Sequence, residues 1–421
     1  MRHADIAIAG CGIAGLAAAT LLARAGHRVT LYERFETPRP LGSGLMIQPT
    51  GMAVLDALDL AQAAVGKGAP VAALLGRNTE GEAVLEAAYA DLPLPQAFGL
   101  GIHRASLFGL LFDAALGAGA ELVTAHEIKG SDWDSAGRTL AFADGSKSRP
   151  HDLVIDALGL ASPLVPAADG WLPFGALWAT VDWPGAPFDP ALLEQRYERA
   201  SRMVGVLPVS AGRAAFFWSL RADRLDDWRR RGMAAFRDEV CTLWPQCEAV
   251  MNRLTEPDQL TFARYAHRTT RQPTGERIAH VGDAWHAASP QLGQGANMAL
   301  LDAFALAKAI DGSDDLTAAL RRYEALRSAH VRLYQWLTWT FTPPFQSDAA
   351  WPALFRDLLM APASRVPPGP RLKATLVAGL AGANLARLGL ALPDYPALAA
   401  AASASASPST MAARASSVDQ S

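Results

Sequence analysis

The sequence predicts an α/β fold that is divided into two domains, and three observations support that prediction. Near the N-terminus, a short apolar strand, a glycine-rich turn, a helix and a second strand follow one another within about thirty residues. An aromatic, strand-rich stretch occupies the middle of the chain, and a second glycine-rich loop runs into a helix near residue 295. The chain has 421 residues, 50% of them hydrophobic, and is therefore long enough for two cores.

The N-terminal unit carries the pattern G-x-G-x-x-G at Gly10, Gly12 and Gly15, between the strand "DIAIAG" and the helix "LAAATLLARAG". The first glycine permits a tight turn, the second lets the backbone approach a pyrophosphate, and the third allows the helix to pack closely on the strand. Glu33 ends the second strand, where a carboxylate accepts the hydroxyl hydrogens of an adenosine ribose and repels a 2′-phosphate. The unit therefore predicts a binding site for FAD or NAD rather than NADP.

The second glycine-rich loop reads "GDAWHAASPQLGQGAN" over residues 282–297 and precedes the apolar helix "MALLDAFALAKAI". Gly293 and Gly295 let backbone N–H groups approach a ligand closely, and the start of a helix favours negative charge. A glycine-rich turn that merely ends a strand is the alternative interpretation of this stretch taken alone.

Charge and composition exclude several classes of function. The net charge is −3 and no block of basic residues appears, so we expect no nucleic-acid partner. Cys11, Cys241 and Cys247 are too few for a disulfide framework and match no zinc-binding spacing, which suits a reducing compartment. The first residues enter a strand directly, without the pattern of a signal peptide, and no apolar run is long enough to span a membrane. We therefore expect a cytoplasmic protein with no metal site and no membrane span.

Three stretches together resemble the FAD-dependent aromatic hydroxylases, the flavoprotein monooxygenase family that includes p-hydroxybenzoate hydroxylase. These stretches are "GCGIAG…LYER" (10–34), "GIHRASLFGLLFDAA" (101–115) and "GDAWHAASPQLGQGANMALLDA" (282–303). The resemblance implies a Rossmann-like FAD-binding domain with an interleaved α+β substrate domain and C-terminal helices. The expected division is 1–70, 101–170 and 262–340 for the FAD-binding domain, 71–100 and 171–261 for the substrate domain, 341–398 for a C-terminal helical region and 399–421 for a disordered tail.

The same resemblance assigns residues to the cofactor. Arg104 matches the family arginine that lies along the ribityl and phosphate portion of the flavin, and Asp283 matches the residue that binds the ribityl O3′. Backbone amides from Gly293 to Asn297 then point to the pyrimidine edge of the isoalloxazine, where reduced flavin carries negative charge. The expected cofactor-binding residues are Gly10, Gly12, Ile13, Ala14, Gly15, Glu33, Arg34, Arg104, Asp283, Gly293, Gly295, Ala296 and Asn297.

The substrate side is expected on the sheet in the middle of the chain, and the imperfect alternation in "AAFFWSL" indicates that both faces of this sheet are covered. The residues expected to line the substrate pocket are Trp178, Tyr197, Val206, Phe216 and Trp218. Ordinary core packing is the alternative for each of these side chains. His286 and Pro290 are the candidates for a catalytic role, although His286 is equally well explained as a structural, hydrogen-bonded histidine.

The resemblance implies that the protein hydroxylates an aromatic or quinolone-like small molecule through a flavin C4a-hydroperoxide, with FAD, O2 and NADPH or NADH. Two alternatives stay open. The first keeps the flavin chemistry but takes electrons from a separate flavin reductase or from free reduced flavin. The second belongs to another class, a non-catalytic FAD-binding protein or an NAD-linked dehydrogenase, but a dehydrogenase predicts no flavin motif at 282–297.

One stretch departs from the family pattern. The family usually carries a run resembling "DLVIGADGxxS", whereas this chain has "DLVIDALGLAS" at 152–162, with Leu158 in place of the aspartate. Gly159 and Ser162 are kept, and Asp156 lies two residues earlier, about 6–7 Å away along a strand. Because the family motif helps to bind both FAD and the nicotinamide, Leu158 predicts slow direct reduction of the bound FAD by NADPH or NADH. The alternative is that the substitution has no functional effect.

The C-terminal part is expected to be helical. The pattern predicts a helix over 320–341, a break at "TPPF" and another helix from "WPALFRDLLMAPASRV", before an Ala/Ser-rich tail. This apolar helical region can cap the pocket or support a homodimer, and the sequence does not decide between the two.

Overall fold

Four β-sheets and the helices around them make up the part of the chain that the structure, a computed structural model, describes: residues 3–40, 42–166 and 170–405. The strands are β1 (Asp5–Ala9), β2 (Arg28–Tyr32), β3 (Gly44–Ile47), β4 (Ala69–Val71), β5 (Ala73–Asn78), β6 (Ala83–Ala88), β7 (Gly99–His103), β8 (Glu121–Val123), β9 (Ile128–Asp134), β10 (Gly137–Phe142), β11 (Leu153–Asp156), β12 (Trp171–Asp182), β13 (Leu192–Glu198), β14 (Arg202–Ser210), β15 (Arg213–Arg221), β16 (Thr261–Ala266), β17 (Thr274–Gly275) and β18 (Ile278–His280). The helices are α1 (Ile13–Arg24), α2 (Pro49–Ala57), α3 (Ala61–Lys67), α4 (Arg104–Gly117), α5 (Leu225–Leu243), α6 (Glu248–Met251), α7 (Asp283–His286), α8 (Gly295–Asp311), α9 (Leu316–Phe345), α10 (Ala350–Phe355), α11 (Ala361–Ala363), α12 (Gly369–Val377), α13 (Asn384–Leu388) and α14 (Tyr395–Ser405).

The first sheet confirms the predicted N-terminal unit. Its strand order is β17-β18-β11-β1-β2-β8, and all neighbours are parallel except β17 and β18. The strands β1 and β11 are almost fully buried and read as apolar runs, as expected for a parallel sheet covered on both faces. Helices α1 and α8 pack against each other beside this sheet. The carboxyl ends of parallel strands gather at one edge, which is where such sheets bind ligands.

The second sheet has the order β16-β12-β15-β14-β13-β5-β6 and is built from two separate parts of the chain. Strands β5 and β6 of this sheet come before β8, β11 and β18 of the first sheet along the chain, so the two domains are interleaved as predicted. Strand β16 pairs with β12, and this sheet therefore extends to Ala266 rather than ending at residue 261. Helices α5 and α6 cover one face, while β3, β4 and the end of α9 cover the other, so both faces are covered as expected.

The C-terminal region differs from the prediction at two places. Helix α9 does not break at "TPPF": Pro343 and Pro344 lie in its last turn and the helix ends at Phe345, so the N–H donors that they lack interrupt no later turn. Helix α14 includes residues 399–405, which the composition assigned to a disordered tail, since an alanine-rich run has high helix propensity. Residues 406–421 lie outside the described part of the chain.

Two features are absent from the described residues. No helix among them is long and apolar enough to cross a membrane. No group of three or more His, Cys, Asp or Glu side chains within the described ranges could hold a metal ion. All three cysteines are free.

Candidate active site

The first glycine turn is shaped by steric limits that are visible in the structure. Gly10 has φ of +100°, and a Cβ there would come within 2.9 Å of the carbonyl oxygen of Ala157. A Cβ on Gly15 would lie 2.1 Å from the carbonyl oxygen of Gly10, so only glycine lets α1 pack this closely. A Cβ on Gly12 would meet nothing nearer than 3.9 Å, so this position faces open space at the start of α1. Unbonded N–H groups at a helix start, which include Ile13 and Ala14 here, attract anions.

Glu33 lies directly beside this turn. Its Oε2 accepts a hydrogen bond from the Cys11 backbone N–H at 3.2 Å, and its Oε1 accepts one from Phe35 N–H at 3.1 Å. The carboxylate is thereby fixed at the end of β2, half-buried, where a ribose would approach. The exposed Arg34 follows, with its guanidinium carbon 4.6 Å from the centre of the Phe35 ring. Burial, with a smaller contribution from the Glu33 charge, raises the pKa of the Cys11 thiol to about 12.

Arg104 begins α4 and supplies an uncompensated positive group. Its Nε is buried and has no hydrogen-bond partner among the described residues. Desolvation by burial lowers the pKa of the guanidinium, while the charge of Asp283 acts in the opposite direction. A buried guanidinium atom without a partner is costly in a folded protein, so this position is suited to an anionic or strongly polar ligand.

The loop at 282–297 reaches the same place as the glycine turn. Gly282 has φ of +59°, and a Cβ there would lie 3.6 Å from the Cβ of Ala14 and 3.2 Å from that of Ala299. Asp283 is accessible to solvent from the cleft, yet the protein that surrounds it raises the pKa of its carboxyl by desolvation. The stretch 282–303 is therefore packed against the stretch 10–34, which contains the glycine turn.

A buried ionic network holds this loop from behind. The Oδ2 of Asp302 accepts a hydrogen bond from the Gly282 N–H at 2.8 Å and lies 2.6 Å from His286 Nε2. Its Oδ1 accepts a hydrogen bond from Arg327 Nε at 2.7 Å, and both charged side chains are fully buried. His286 is itself buried among these groups. This geometry favours the structural alternative for His286 over the catalytic one, and we assign no proton transfer to it.

The start of α8 is anchored by Asn297. Its side-chain oxygen accepts a hydrogen bond from the Gln48 N–H at 2.8 Å, and its amide donates to the carbonyl oxygens of Met46 at 3.3 Å and Gly293 at 2.9 Å. The Asn297 side chain therefore ties the loop to β3, and the whole residue is buried. The backbones of Gly295 and Ala296, at the start of α8, are accessible to a ligand. Gly293 adopts the left-handed conformation with φ of +62°.

Pro290 occupies the short turn that precedes this glycine. The turn spans Pro290–Leu292, and Pro290 is exposed while Leu292 is buried beneath it. Gln48, on the inner side of the same region, accepts a short hydrogen bond from the Tyr89 hydroxyl. No sequence pattern indicated the Gln48–Tyr89 contact, because both residues lie outside the recognisable motifs.

The second sheet places only two of the five expected pocket residues toward β3. Phe216 and Trp218 pack with Val206 against α5 and α6, on the opposite face. The structure places these three residues on the face away from β3, and their role in lining the pocket stays a prediction. Successive residues of a strand point to opposite faces, and in "AAFFWSL" every position is apolar enough that the pattern does not reveal which face is which.

Trp178 and Tyr197 lie on the expected face, together with Phe217, which the sequence analysis missed. The rings of Trp178 and Phe217 are stacked, with centroids 4.8 Å apart and planes 30° from parallel. Both belong to an apolar cluster that includes Met46 and is continuous with the loop anchored by Asn297. Tyr265 is near Trp178, and desolvation raises the pKa of its hydroxyl well above the ordinary value.

Comparison with known proteins identifies the family. The sequence model of the family described as "FAD binding domain" matches residues 3–333. The chain belongs to the FAD-dependent aromatic hydroxylases. It is therefore an FAD-dependent monooxygenase.

Relatives of this monooxygenase include named hydroxylases. It is 29% identical to "FAD-dependent urate hydroxylase" of Klebsiella pneumoniae subsp. pneumoniae over 352 residues, which cover 77% of this chain and 86% of the relative. It is 29% identical over 346 residues to "2-heptyl-3-hydroxy-4(1H)-quinolone synthase" of Mycobacteroides abscessus, with 77% and 86% covered. The crystal structure of Klebsiella pneumoniae HpxO complexed with FAD and uric acid superposes with a TM-score of 0.73 at 22% identity, covering 89% of this chain and 96% of that one.

The cleft of this monooxygenase fits FAD on three observations of its own. Arg104 offers an unpartnered buried Nε, Gly12 leaves open space at the start of α1, and the first N–H groups of α8 have no partner within the helix. These groups are positive or hydrogen-bond donating, as a pyrophosphate and a reduced isoalloxazine require. The negative group, Glu33, lies at the position suited to ribose hydroxyls.

Leu158, which stands in place of the family aspartate, has well-defined contacts. The Leu158 N–H donates to Asp156 Oδ1 at 3.1 Å, and its side chain packs against the apolar cluster around Tyr32. The Oδ2 of Asp156 accepts a hydrogen bond from the Ser162 hydroxyl at 2.7 Å and lies 2.8 Å from His280 Nδ1. Asp156 is fully buried in these contacts and does not replace the missing family aspartate.

Arg268 is a further charged residue at this turn that the sequence analysis missed. Its Nη2 donates to the carbonyl oxygens of Gly159 at 3.4 Å and Asp283 at 3.2 Å. Its Nε and Nη1 are buried without a partner among the described residues. A single arginine between two strands carries no motif, so only the folded chain shows that it joins the turn after β11 to the loop after β18.

Proposed function

We propose that this monooxygenase hydroxylates an aromatic or quinolone-like small molecule with O2, on FAD held between the glycine turn and the loop at 282–297. The observation that carries the proposal is the junction of two surfaces at Met46. The Met46 carbonyl is bonded to Asn297 at the start of α8, and its side chain belongs to the apolar cluster of Trp178 and Phe217. The names of the urate hydroxylase and the quinolone synthase support a flat, nitrogen-containing aromatic substrate.

The residues of the cleft would hold FAD by charge and by backbone donors. Arg104 and the start of α1 face its phosphate and ribityl portion, Glu33 its ribose, and Asp283 its ribityl hydroxyls. The N–H groups at 295–297 would stabilise negative charge on the pyrimidine edge. When bound, FAD supplies the electrons that activate O2 and delivers one oxygen atom to the aromatic ring.

The second sheet shapes the substrate pocket and keeps water out of it. Trp178 and Phe217 form a stacked aromatic wall, and Tyr197 lies fully buried beside it. Aromatic walls of this kind orient a flat ring by stacking and exclude water from the reacting centre. The reacting oxygen is thereby kept from release as hydrogen peroxide.

Isotope incorporation tests the proposal directly. The purified protein should be yellow and contain non-covalent FAD, and labelled O2 should place one labelled atom in the product ring. Oxygen uptake with a panel of aromatic and quinolone-like compounds would find the substrate. Label arriving from water, or a colourless protein that FAD cannot reconstitute, would refute the proposal; a protein that binds FAD but consumes no oxygen with any reductant would indicate a non-catalytic role.

The source of electrons has two candidates. NADPH or NADH is the reductant of the ordinary family scheme. Two observations favour a separate reductase or free reduced flavin. The Leu158 side chain packs against the apolar cluster around Tyr32, and the Asp156 carboxylate is already in contact with Ser162 and His280. Anaerobic stopped-flow absorbance decides between them: we expect slow reduction by either nicotinamide with substrate present, and turnover restored by reduced flavin. Fast, saturable reduction by NADPH or NADH alone would exclude the second candidate.

We further propose that the protein works in the cytoplasm. Three free cysteines are compatible with a reducing compartment and would be at risk in an oxidising one. Cell fractionation with thiol labelling is the measurement that checks this location.

A further inference from the structure

The helical segment that begins with α10 leaves a row of large apolar side chains uncovered. The segment continues from α10 through Arg356–Met360 into α11. Its exposed positions follow the spacing of one helix face, i, i+3, i+4, i+7 and i+8. Helix α10 packs against α9, and we group two exposed tryptophans of α9 with these positions as the apolar stripe: Trp336, Trp339, Trp351, Leu354, Phe355, Leu358 and Leu359.

The inner face of the same segment already holds it on the protein. Pro352, Ala353 and Ala361 are buried, and the buried guanidinium of Arg356 lies 5.0 Å from the ring centre of Tyr197. Arg356 Nη1 also donates to the carbonyl oxygen of Pro344 at 3.0 Å. Because these contacts fix the segment, the stripe is not needed for attachment, and its apolar character calls for another explanation.

The stripe is larger than the apolar patches of ordinary soluble proteins. Trp336, Trp339 and Trp351 are 60%, 68% and 67% exposed, and Leu358 is 74% exposed. Since an aromatic side chain buries about 150–250 Å², the three tryptophans alone present roughly 300–500 Å². The leucines and Phe355 extend the area beyond the largest patch of a typical monomer, which indicates an interaction surface.

The stretch of chain that carries the stripe has an excess of positive charge. Between residues 325 and 376 the only carboxylates are Asp348 and Asp357, which are paired with Arg221 and Arg356. Lys373 has Glu86 and Asp91 in its electrostatic neighbourhood, so part of its charge is offset. The remaining cationic side chains of this stretch are Arg332, Arg365 and Arg371. This balance contrasts with the net charge of −3 for the whole chain.

We propose that the apolar stripe docks on an anionic phospholipid membrane surface. Exposed tryptophan, leucine and phenylalanine in a stretch with an excess of arginine are side chains that favour a bilayer interface. Anionic headgroups complement the cationic flank. A second copy of the chain fits less well, because a two-fold contact would place the two cationic flanks against each other. Residues 406–421 contain only Met411 and Val418 as large apolar side chains, too few to cover the stripe.

Vesicle flotation with the FAD-loaded full chain tests this docking. We expect binding to vesicles of phosphatidylglycerol with phosphatidylcholine at least about tenfold stronger than to phosphatidylcholine alone, and weaker binding at high salt. The double substitution Leu358→Ser with Leu359→Ser should reduce binding about tenfold or more, because two large apolar contacts are lost. Circular dichroism and FAD content should stay unchanged, since neither side chain belongs to a core.

Matched single substitutions provide the control. Trp351→Ser should weaken vesicle binding, whereas Trp133→Ser, at a tryptophan 57% exposed on β9, should leave it unchanged. Binding to neither kind of vesicle, or equal effects of Trp351→Ser and Trp133→Ser, would overturn the proposal. A dimer in sedimentation that the Leu358→Ser, Leu359→Ser protein no longer forms would overturn it as well, because the stripe would then be an interface between two copies.

Discussion

The cleft beside the first sheet and the aromatic face of the second sheet are built on different physical principles. In the cleft, single groups decide the geometry: Gly15 because a Cβ would touch Gly10, and Arg104 because its Nε has no partner. On the second sheet no single residue is distinctive. The face of β15 on which a side chain lies decides its contacts: Phe216 packs against α5 and α6, and Phe217 lies toward β3. A site made of exceptional residues can be found by pattern, whereas a site made of ordinary core residues requires the strand register.

Removal of the Asp302 carboxylate should have the largest effect and tests whether the cleft depends on one buried group. Asp302→Ala leaves Arg327 buried without its partner and removes the acceptor for the Gly282 N–H. We expect a loss of about 3–5 kcal/mol in the free energy of unfolding. Urea unfolding measures this loss; Glu127→Ala, which removes an exposed pair with Lys129, is the control and should stay close to wild type. An equally stable Asp302→Ala protein would show that the cleft does not depend on this network.

Neighbouring substitutions on β15 sharpen the distinction between the two faces of the second sheet. Phe216→Ala should cost about 3–5 kcal/mol in unfolding free energy, because the ring is fully buried against α5 and α6. Phe217→Ala removes the ring stacked on Trp178 and should additionally raise the KM for the substrate found by oxygen uptake. A KM raised equally by both substitutions would contradict the assignment of faces.

Two carboxylates of the cleft should each matter for FAD retention by a smaller amount. Glu33→Ala and Asp283→Ala remove hydrogen-bond acceptors for hydroxyl groups of the cofactor, and a bond to a charged group contributes about 1.5–3 kcal/mol. We therefore expect the Kd for FAD, measured by flavin fluorescence on reconstituted apoprotein, to rise by roughly 10- to 100-fold. Glu36→Ala, at an exposed residue of the same segment, should have no effect. Unchanged retention in both cleft variants would remove these residues from the site.

The smallest expected effect concerns Cys11, whose thiol pKa is raised to about 12 by burial and by the charge of Glu33. A thiol reacts as its thiolate, so below that pH the group stays protonated and alkylation stays slow. We expect Cys11 to remain unlabelled by iodoacetamide at pH 9 in the folded protein and to be labelled after unfolding, as mass spectrometry would show. Rapid labelling of the folded protein would mean that the glycine turn opens readily.

Sequence patterns predicted the first domain well because its constraints are local. Gly10, Gly12 and Gly15 lie within one turn, and Glu33 follows at the end of the next strand, so spacing alone specifies the arrangement. The network of Asp302, His286 and Arg327 was not predicted, because its members are separated by 16 and 25 residues and meet only after α8 and α9 pack together.

The second domain was predicted as a sheet with both faces covered, but the sequence did not reveal that Val206, Phe216 and Trp218 lie on the face that packs against α5 and α6. Continuous apolar runs contain no information about side, and only hydrogen-bonded pairing with β12 and β14 sets it. The break predicted at "TPPF" failed because the proline pair falls in the last turn of α9, where its missing N–H donors interrupt no later turn.

Helix α9 runs from one domain to the other, and its helical geometry fixes the rotation and the distance between the contacts at its two ends. Near its start, Tyr323 and Arg327 contact the first domain, and at its far end Phe345 packs on Tyr197 of the second sheet. One inserted residue between these points would turn the far contacts by about 100° and move them about 1.5 Å along the axis. The two domains can therefore diverge in loops and side chains, but the number of residues between Arg327 and Phe345 is held constant by the geometry of the helix.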